Sequence, residues 1–461
     1  MEMTEATPTT SSYADTDLAN LVHPLTDHSR FAASAPLVLV RGEGCELIDE
    51  RGRRILDGSA GLWTVNLGHG RQDLVEAARR QMSTLPYAAT FGGVSSPPAI
   101  ELAERIVDLA PAGLGGVFFA SGGSEANETA IKLARRHWVR AGRPEKAVVI
   151  AHDRGYHGLA GVTTTATRLD PYHGDFGPPA PEVVEVSAPY TYRCDAGVPC
   201  DPETCPVCTG KALQSRIEEV GAERVAAVIV EPVFGSGGVI VPPPGYLSAI
   251  REVCDRNEVL LIVDEVITGF GRTGSWFASG AQGVSPDLLT FAKGVSSGYV
   301  PLGGVIVSDQ LWDELRDPAA EPGVLMHGFT HSGHPVACAV GLANLAAIEA
   351  EGWIDRVNEA AAVLAELVRP LADLPEVGEV RQAGLMVGVE LVADKETRAR
   401  FPAAVGRGRR VADEARERGL LTRGLLDDIV CLAPPFTISD AELSRAVEIV
   451  ADSIAATRQS V

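Results

Sequence analysis

Between residues 38 and 58 the chain reads VLVRGEGCELIDERGRRILDG, short apolar runs broken by turn residues, which predicts a small antiparallel β element. From about residue 72 the texture changes. DLVEAARRQMSTL and PAIELAERIVDLA repeat their apolar positions at helical spacing. Between and beyond such stretches come AVVIA (147–151), VAAVIVEP (225–232), VLLIVDE (259–265), DLLTFAKG (287–294) and GGVIVSD (303–309), runs apolar enough to be buried on both faces. Alternating β and α elements of this kind predict an α/β domain around a largely parallel sheet. After residue 335 two long helical patterns precede MVGVELVA, a further helix, DDIVCLAPP and a last helix, for which Ser439 and Glu442 offer a capping box. This part predicts a smaller α+β domain that the N-terminal segment completes.

The 461 residues suggest about three domains on length alone. A net charge of −21 argues against nucleic acid and anionic membranes as partners, since both select basic surfaces. No apolar run has the length of a membrane span, and the polar, acidic start MEMTEATPTTSSYADTD lacks the pattern of a secretory signal, so the expected location is cytoplasmic. Of 40 basic residues only five are lysines: Lys132, Lys146, Lys211, Lys293 and Lys395. Four of the eight cysteines, Cys194, Cys200, Cys205 and Cys208, crowd into YRCDAGVPCDPETCPVCTG. Cys205 and Cys208 form the close pair of a zinc site, but the irregular spacing to the other two favours a proline-rich insertion with free thiols, and no metal is expected.

Open α/β sheets bind ligands at the carboxyl ends of their strands. Three ends carry unusual residues. FFASGGSEANETAIKLARRHW leads through Gly122, Gly123 and Ser124 into a helix with Ala126, Ala130, Ala134 and Trp138 on one face; its start is either a plain glycine turn or a phosphate cradle. LLIVDEVITGFGRTG ends an apolar run on Asp264 and Glu265, which calls for a core arginine or for a cationic cofactor atom. Its Gly269 to Gly274 also match G-x-G-x-x-G, the basis of an alternative as a nicotinamide-dependent oxidoreductase, although no good helix follows. In DLLTFAKGVSSGYVPLGG, Lys293 is the one lysine that closes an apolar run, whereas Lys132 lies among helix arginines and Lys146, Lys211 and Lys395 fall in polar turns or loops. Desolvation leaves such an amine more neutral and able to attack a carbonyl. A phosphate cradle, a carboxylate for a protonated ring nitrogen and an amine for a carbonyl together suit pyridoxal phosphate.

The ordered motifs GLWTVNLGHGR (61–71), SGGSEANETAIKLAR (121–135), RGYHG (154–158), VEPVFGSGG (230–238), DEVITGFGRTG (264–274), FAKGVSSGYVPLGG (291–304) and HGFTHSGHPVA (327–337) resemble those of the class III aminotransferases, fold-type I pyridoxal-phosphate enzymes, and within them the ω-transaminases that use pyruvate. The resemblance implies a large domain (67–334) with a mainly parallel seven-stranded sheet, a small α+β domain from the N-terminal segment (1–66) and residues 335–461, and a homodimer with sites at the interface. Carried over, Lys293 resembles the lysine that forms the Schiff base and moves the proton, and Asp264 the aspartate on the pyridine nitrogen. Tyr156 and Val266 resemble the residues on the two ring faces, and Gly123 and Ser124 the phosphate ligands. Thr330 resembles the threonine that reaches the phosphate from the neighbouring subunit, and Glu231 an acid near the cofactor. Trp63 resembles a pocket aromatic, with Tyr156 beside the substrate, and Arg423 the mobile arginine that admits a substrate carboxylate. The expected activity moves an amino group from an amine or ω-amino acid, with putrescine and other polyamines, β-alanine, taurine and aralkyl amines as candidates, to a 2-oxo acid, pyruvate first. A decarboxylase or racemase of the same fold is the alternative. Ile267 stands where the ornithine and γ-aminobutyrate branches carry glutamine, and the four-cysteine loop lies outside the family pattern.

Overall fold

The computed structural model describes residues 12–32, 36–318 and 323–460. Its centre is a seven-stranded sheet of β1 (Leu114–Ala120), β2 (Val148–His152), β3 (Val183–Val186), β4 (Val225–Val230), β5 (Leu260–Asp264), β6 (Leu288–Phe291) and β7 (Gly303–Ser308). The spatial order is β1-β7-β6-β5-β4-β2-β3. Every pairing is parallel except those of β7, which runs against both neighbours. The continuous apolar runs have a simple cause: Val228, Val230, Leu261 and Val263 face one core, and Ala227, Ile229, Leu260 and Ile262 face the other. Helix α1 (Gly123–Arg140) covers the second face with Ala126, Ala130, Ala134 and Trp138, all buried.

The two chain ends share a sheet. Leu39–Glu43, Glu46–Asp49 and Arg54–Asp57 form an antiparallel meander, and Leu420–Leu421 adds in parallel beside Arg54–Asp57. A second antiparallel sheet joins Val377–Ala383, Met386–Leu391, Ile429–Leu432 and Arg423–Leu425, and packs on the helices Trp353–Val368, Arg407–Glu417 and Asp440–Ala456. The last of these begins with the expected capping box: the Ser439 hydroxyl accepts from the Glu442 amide at 3.3 Å, and the Glu442 carboxylate accepts from the Ser439 amide at 2.8 Å. Among the described residues no single helix is long and apolar enough to cross a membrane. The apolar pair Pro335–Ala350 and Trp353–Val368 is spent on the core instead.

Several elements depart from the sequence pattern. The apolar run of β1 is broken by glycines: Gly115 and Gly116 lie against Asp309 and the Trp312 ring, and a Cβ on Gly116 would come within 2.7 Å of that ring. β3 is a short edge strand with exposed Glu185, too brief to register as an alternation. Lys146, expected in a polar turn, is 1 % exposed: its ammonium donates to the Ala222 carbonyl at 2.8 Å and lies 4.3 Å from the Trp138 ring centroid. The Gly269 to Gly274 segment is a buried turn. Its Arg272, fully buried, donates to the Pro434 carbonyl and the Asn66 side-chain oxygen and stacks on Phe436.

Candidate active site

A cavity of about 370 Å³, in the range of small-molecule sites, opens at the carboxyl ends of β1, β2, β4, β5 and β6. Gly123, Ser124, Tyr156, Glu231, Asp264, Val266 and Lys293 all line it, although they come from five separate strand ends. Lys293 follows β6 in a left-handed backbone conformation, φ 44°. Withdrawal from water lowers its ammonium to about 8; the charges of Asp264 and Glu231 act against that fall, and those of Arg423 and Arg272 add to it.

Asp264 closes β5, and among the described residues no arginine pairs with it. Its Oδ2 accepts from Asn127 Nδ2 at 2.7 Å and lies 2.8 Å from His157 Nδ1, while Oδ1 accepts from the Val266 amide at 3.0 Å. Asn127 is itself fixed, since it donates to the His157 carbonyl and accepts from the Thr290 hydroxyl. The adjacent carboxylate does something else. Glu265 accepts from Thr268 and from the amides of Ala278 and Ser279 and the Ser279 hydroxyl, away from the cavity, and ties down the turn after β5. Glu231, 3 % exposed, is pushed by desolvation up to about 7 and accepts from the amides of Tyr156 and Gly235.

The start of α1 is built for an anion. Gly122 is extended, no side chain caps the helix, and Ser121 to Ser124 line the cavity. A Cβ on Gly123 would press to 2.9 Å on Val266, and one on Gly158, at φ 114°, would collide with Ser124. The donor set of an amine, a held carboxylate and an uncapped helix start therefore fits pyridoxal phosphate.

Trp63, Arg423 and Thr330 lie outside the cavity lining. The Trp63 ring centroid is 5.8 Å from Lys293 Nζ, and Arg423 is near enough for its charge to act on both Lys293 and Tyr156. Thr330 is exposed, and its carbonyl accepts from the Tyr87 hydroxyl. Asn127 and His157, which hold Asp264, were not singled out from the sequence; a polar residue directly after Ala126 on the buried face of α1 was the available signal.

The family model of aminotransferase class III matches residues 29–454, and the putrescine–pyruvate aminotransferase of Pseudomonas aeruginosa is 41 % identical over 95 % of this chain and 94 % of that protein. The chain belongs to the class III aminotransferases. Like the rest of its family, this aminotransferase uses pyridoxal phosphate, which excludes the nicotinamide reading of Gly269 to Gly274. Its fold matches an (S)-enantioselective ω-transaminase of Thermomicrobium roseum with a TM-score of 0.93, at 46 % identity over 96 % of this chain and 98 % of that one. An ω-transaminase of Pseudomonas jessenii, solved in complex with PMP, matches at 0.94 with 37 % identity over 98 % of this chain and 99 % of that one.

Proposed function

We propose that this aminotransferase moves the amino group of an amine or ω-amino acid to pyruvate, with a diamine such as putrescine, or β-alanine, taurine or an aralkyl amine as donor. Pyridoxal phosphate, when bound, supplies a carbonyl for the amino group and an electron-withdrawing ring. Lys293 holds the cofactor and takes the proton from the carbon that bears the donor's amine. Burial leaves about half of its amine neutral near pH 8, as that task requires. Asp264, oriented by Asn127 and His157, presents its charge to the ring nitrogen. Tyr156 and Val266 bracket the ring. The start of α1 with Ser124 holds the phosphate, completed by Thr330 of a second subunit in a homodimer. The same reading keeps the domain division at residues 66 and 334 and a cytoplasmic location.

One observation carries the choice of substrates: the charge of Arg423 reaches Lys293 and Tyr156 at a margin otherwise walled by Trp63 and Ile267. That margin receives the carboxylate of pyruvate and, with Arg423 turned away, the uncharged body of an amine. Amines of each class incubated with pyruvate or 2-oxoglutarate test this, with alanine, glutamate and carbon dioxide as readouts. Alanine formation supports the reading. Glutamate alone replaces the acceptor, and carbon dioxide without alanine replaces amino transfer by decarboxylation.

A further inference from the structure

We propose that Cys194, Cys200, Cys205 and Cys208 form a tetrathiolate zinc site, a structural centre separate from the catalytic cavity. Their spacing in sequence is irregular, but folding removes the irregularity. Cys194 Sγ lies 3.4 Å from Cys205 Sγ, and Cys200 Sγ lies 3.7 Å from Cys208 Sγ. The sulfurs of Cys194, Cys200 and Cys205 fall within 4.8 Å of one another. Cys200 also interacts with each of the other three cysteines. A tetrahedral zinc with Zn–S bonds of roughly 2.3 Å separates its sulfurs by about 3.8 Å, so small shifts close the first three on one ion, and Cys208, beside Cys200 but outside that group, must turn towards them.

The surroundings are those of a closed site. Cys194, Cys205 and Cys208 are buried, and the cluster packs with Val207 and Ala212. Backbone N–H groups of Val207 and Cys208 face the Cys205 sulfur, and that of Ala196 faces the Cys194 sulfur. Such donors favour thiolates and orient metal ligands. Binding would form four S–Zn bonds and release the four thiol protons to solvent.

Position suggests what the ion does. Directly before Cys194, Arg193 donates to Glu390 at 2.5 Å and to the Arg398 carbonyl at 2.9 Å, and the Tyr192 carbonyl accepts from Arg398 at 2.6 Å. Arg154 and Arg381 both lie over the Tyr190 ring. The zinc loop thus anchors the Tyr190 to Arg193 segment where the large sheet's domain meets the sheet of Val377–Ala383 and Met386–Leu391.

Metal analysis of the purified holoenzyme is the direct test. About one zinc per chain is expected, falling below about a tenth in Cys205→Ser and Cys208→Ser. Those variants should melt at lower temperature yet keep the cofactor's visible absorbance. Should they fail to fold, cobalt exchanged into the wild-type enzyme must give the ligand-field bands of a tetrahedral thiolate. Wild-type protein that contains no zinc, holds iron in its place, or carries Cys194–Cys205 and Cys200–Cys208 disulfides after alkylation without reductant overturns the proposal.

Discussion

Two lysines, Lys146 and Lys293, are lowered to about 8 by desolvation, and they stand at opposite ends of the large sheet. Lys146 precedes β2, at the amino end of the parallel strands, and Lys293 follows β6, at the carboxyl end. The first has its ammonium committed to a backbone carbonyl and an aromatic face. The second faces a cavity, with two carboxylates within range of its charge. Equal shifts therefore mark different roles. A displaced pKa reports burial, and only the open side of the amine, at the end of the sheet where ligands bind, makes it reactive.

Removal of each amine should separate the pair most sharply. Lys293→Ala should lose turnover by at least ~10⁴-fold, the scale of a missing acid–base group, while Lys146→Ala stays within ~3-fold and loses stability instead. Steady-state rates with one amine and pyruvate check both, and near-normal turnover of Lys293→Ala would refute its role. The two adjacent carboxylates of β5 extend the contrast. Asp264→Asn should cost roughly 10³-fold in kcat, as loss of a buried electrostatic partner does. Glu265→Gln should cost about 1–3 kcal/mol of stability through its stranded donors, and calorimetry beside kinetics distinguishes the outcomes.

A smaller effect lies in pH. Covalent uptake of the cofactor by the apoenzyme should quicken as pH rises through about 8, where Lys293 loses its proton. Asp264→Asn should shift that midpoint downwards, because the carboxylate supports the ammonium; an upward shift would contradict the geometry. The smallest effect concerns Lys146. Its folded pKa of about 8 lies below its ordinary value of 10.5, so the native state bears a charge penalty below pH 8 that fades towards pH 10. The melting temperature of the wild type should accordingly rise relative to Lys146→Met across that interval.

The doubly buried strands β2, β4, β5 and β6 were readable because both faces demand apolar residues. β3, with one exposed glutamate, and β1, with glycines that make room for Trp312, broke the pattern for local reasons. Val377–Ala383 reads as polar because Arg381, buried there, satisfies Glu379 and Glu390. At the site, the strand-end residues Asp264 and Lys293 stood out by chemistry alone. Asn127 and His157 did not, since nothing local reveals that an amide and an imidazole, 137 and 107 residues away, meet on one carboxylate oxygen. The cysteine spacing gave no sign of proximity in the same way, because the loop brings Cys194 beside Cys205 and Cys200 beside Cys208 although the sequence sets them apart.

The parallel pairing of Leu420–Leu421 with Arg54–Asp57 bears on how the enzyme comes into being. The stretch that carries Trp63 is clamped by late-arriving backbone: Gly58 donates to the Leu421 carbonyl, Ala433 to the Gly58 carbonyl, and Phe436 to the Asn66 carbonyl. A nascent chain on the ribosome thus exposes one unpaired strand edge and an unfinished pocket wall until residues 420–436 emerge. Premature termination between residue 308 and that point leaves every cofactor-facing strand translated and the enzyme still without its closing seam.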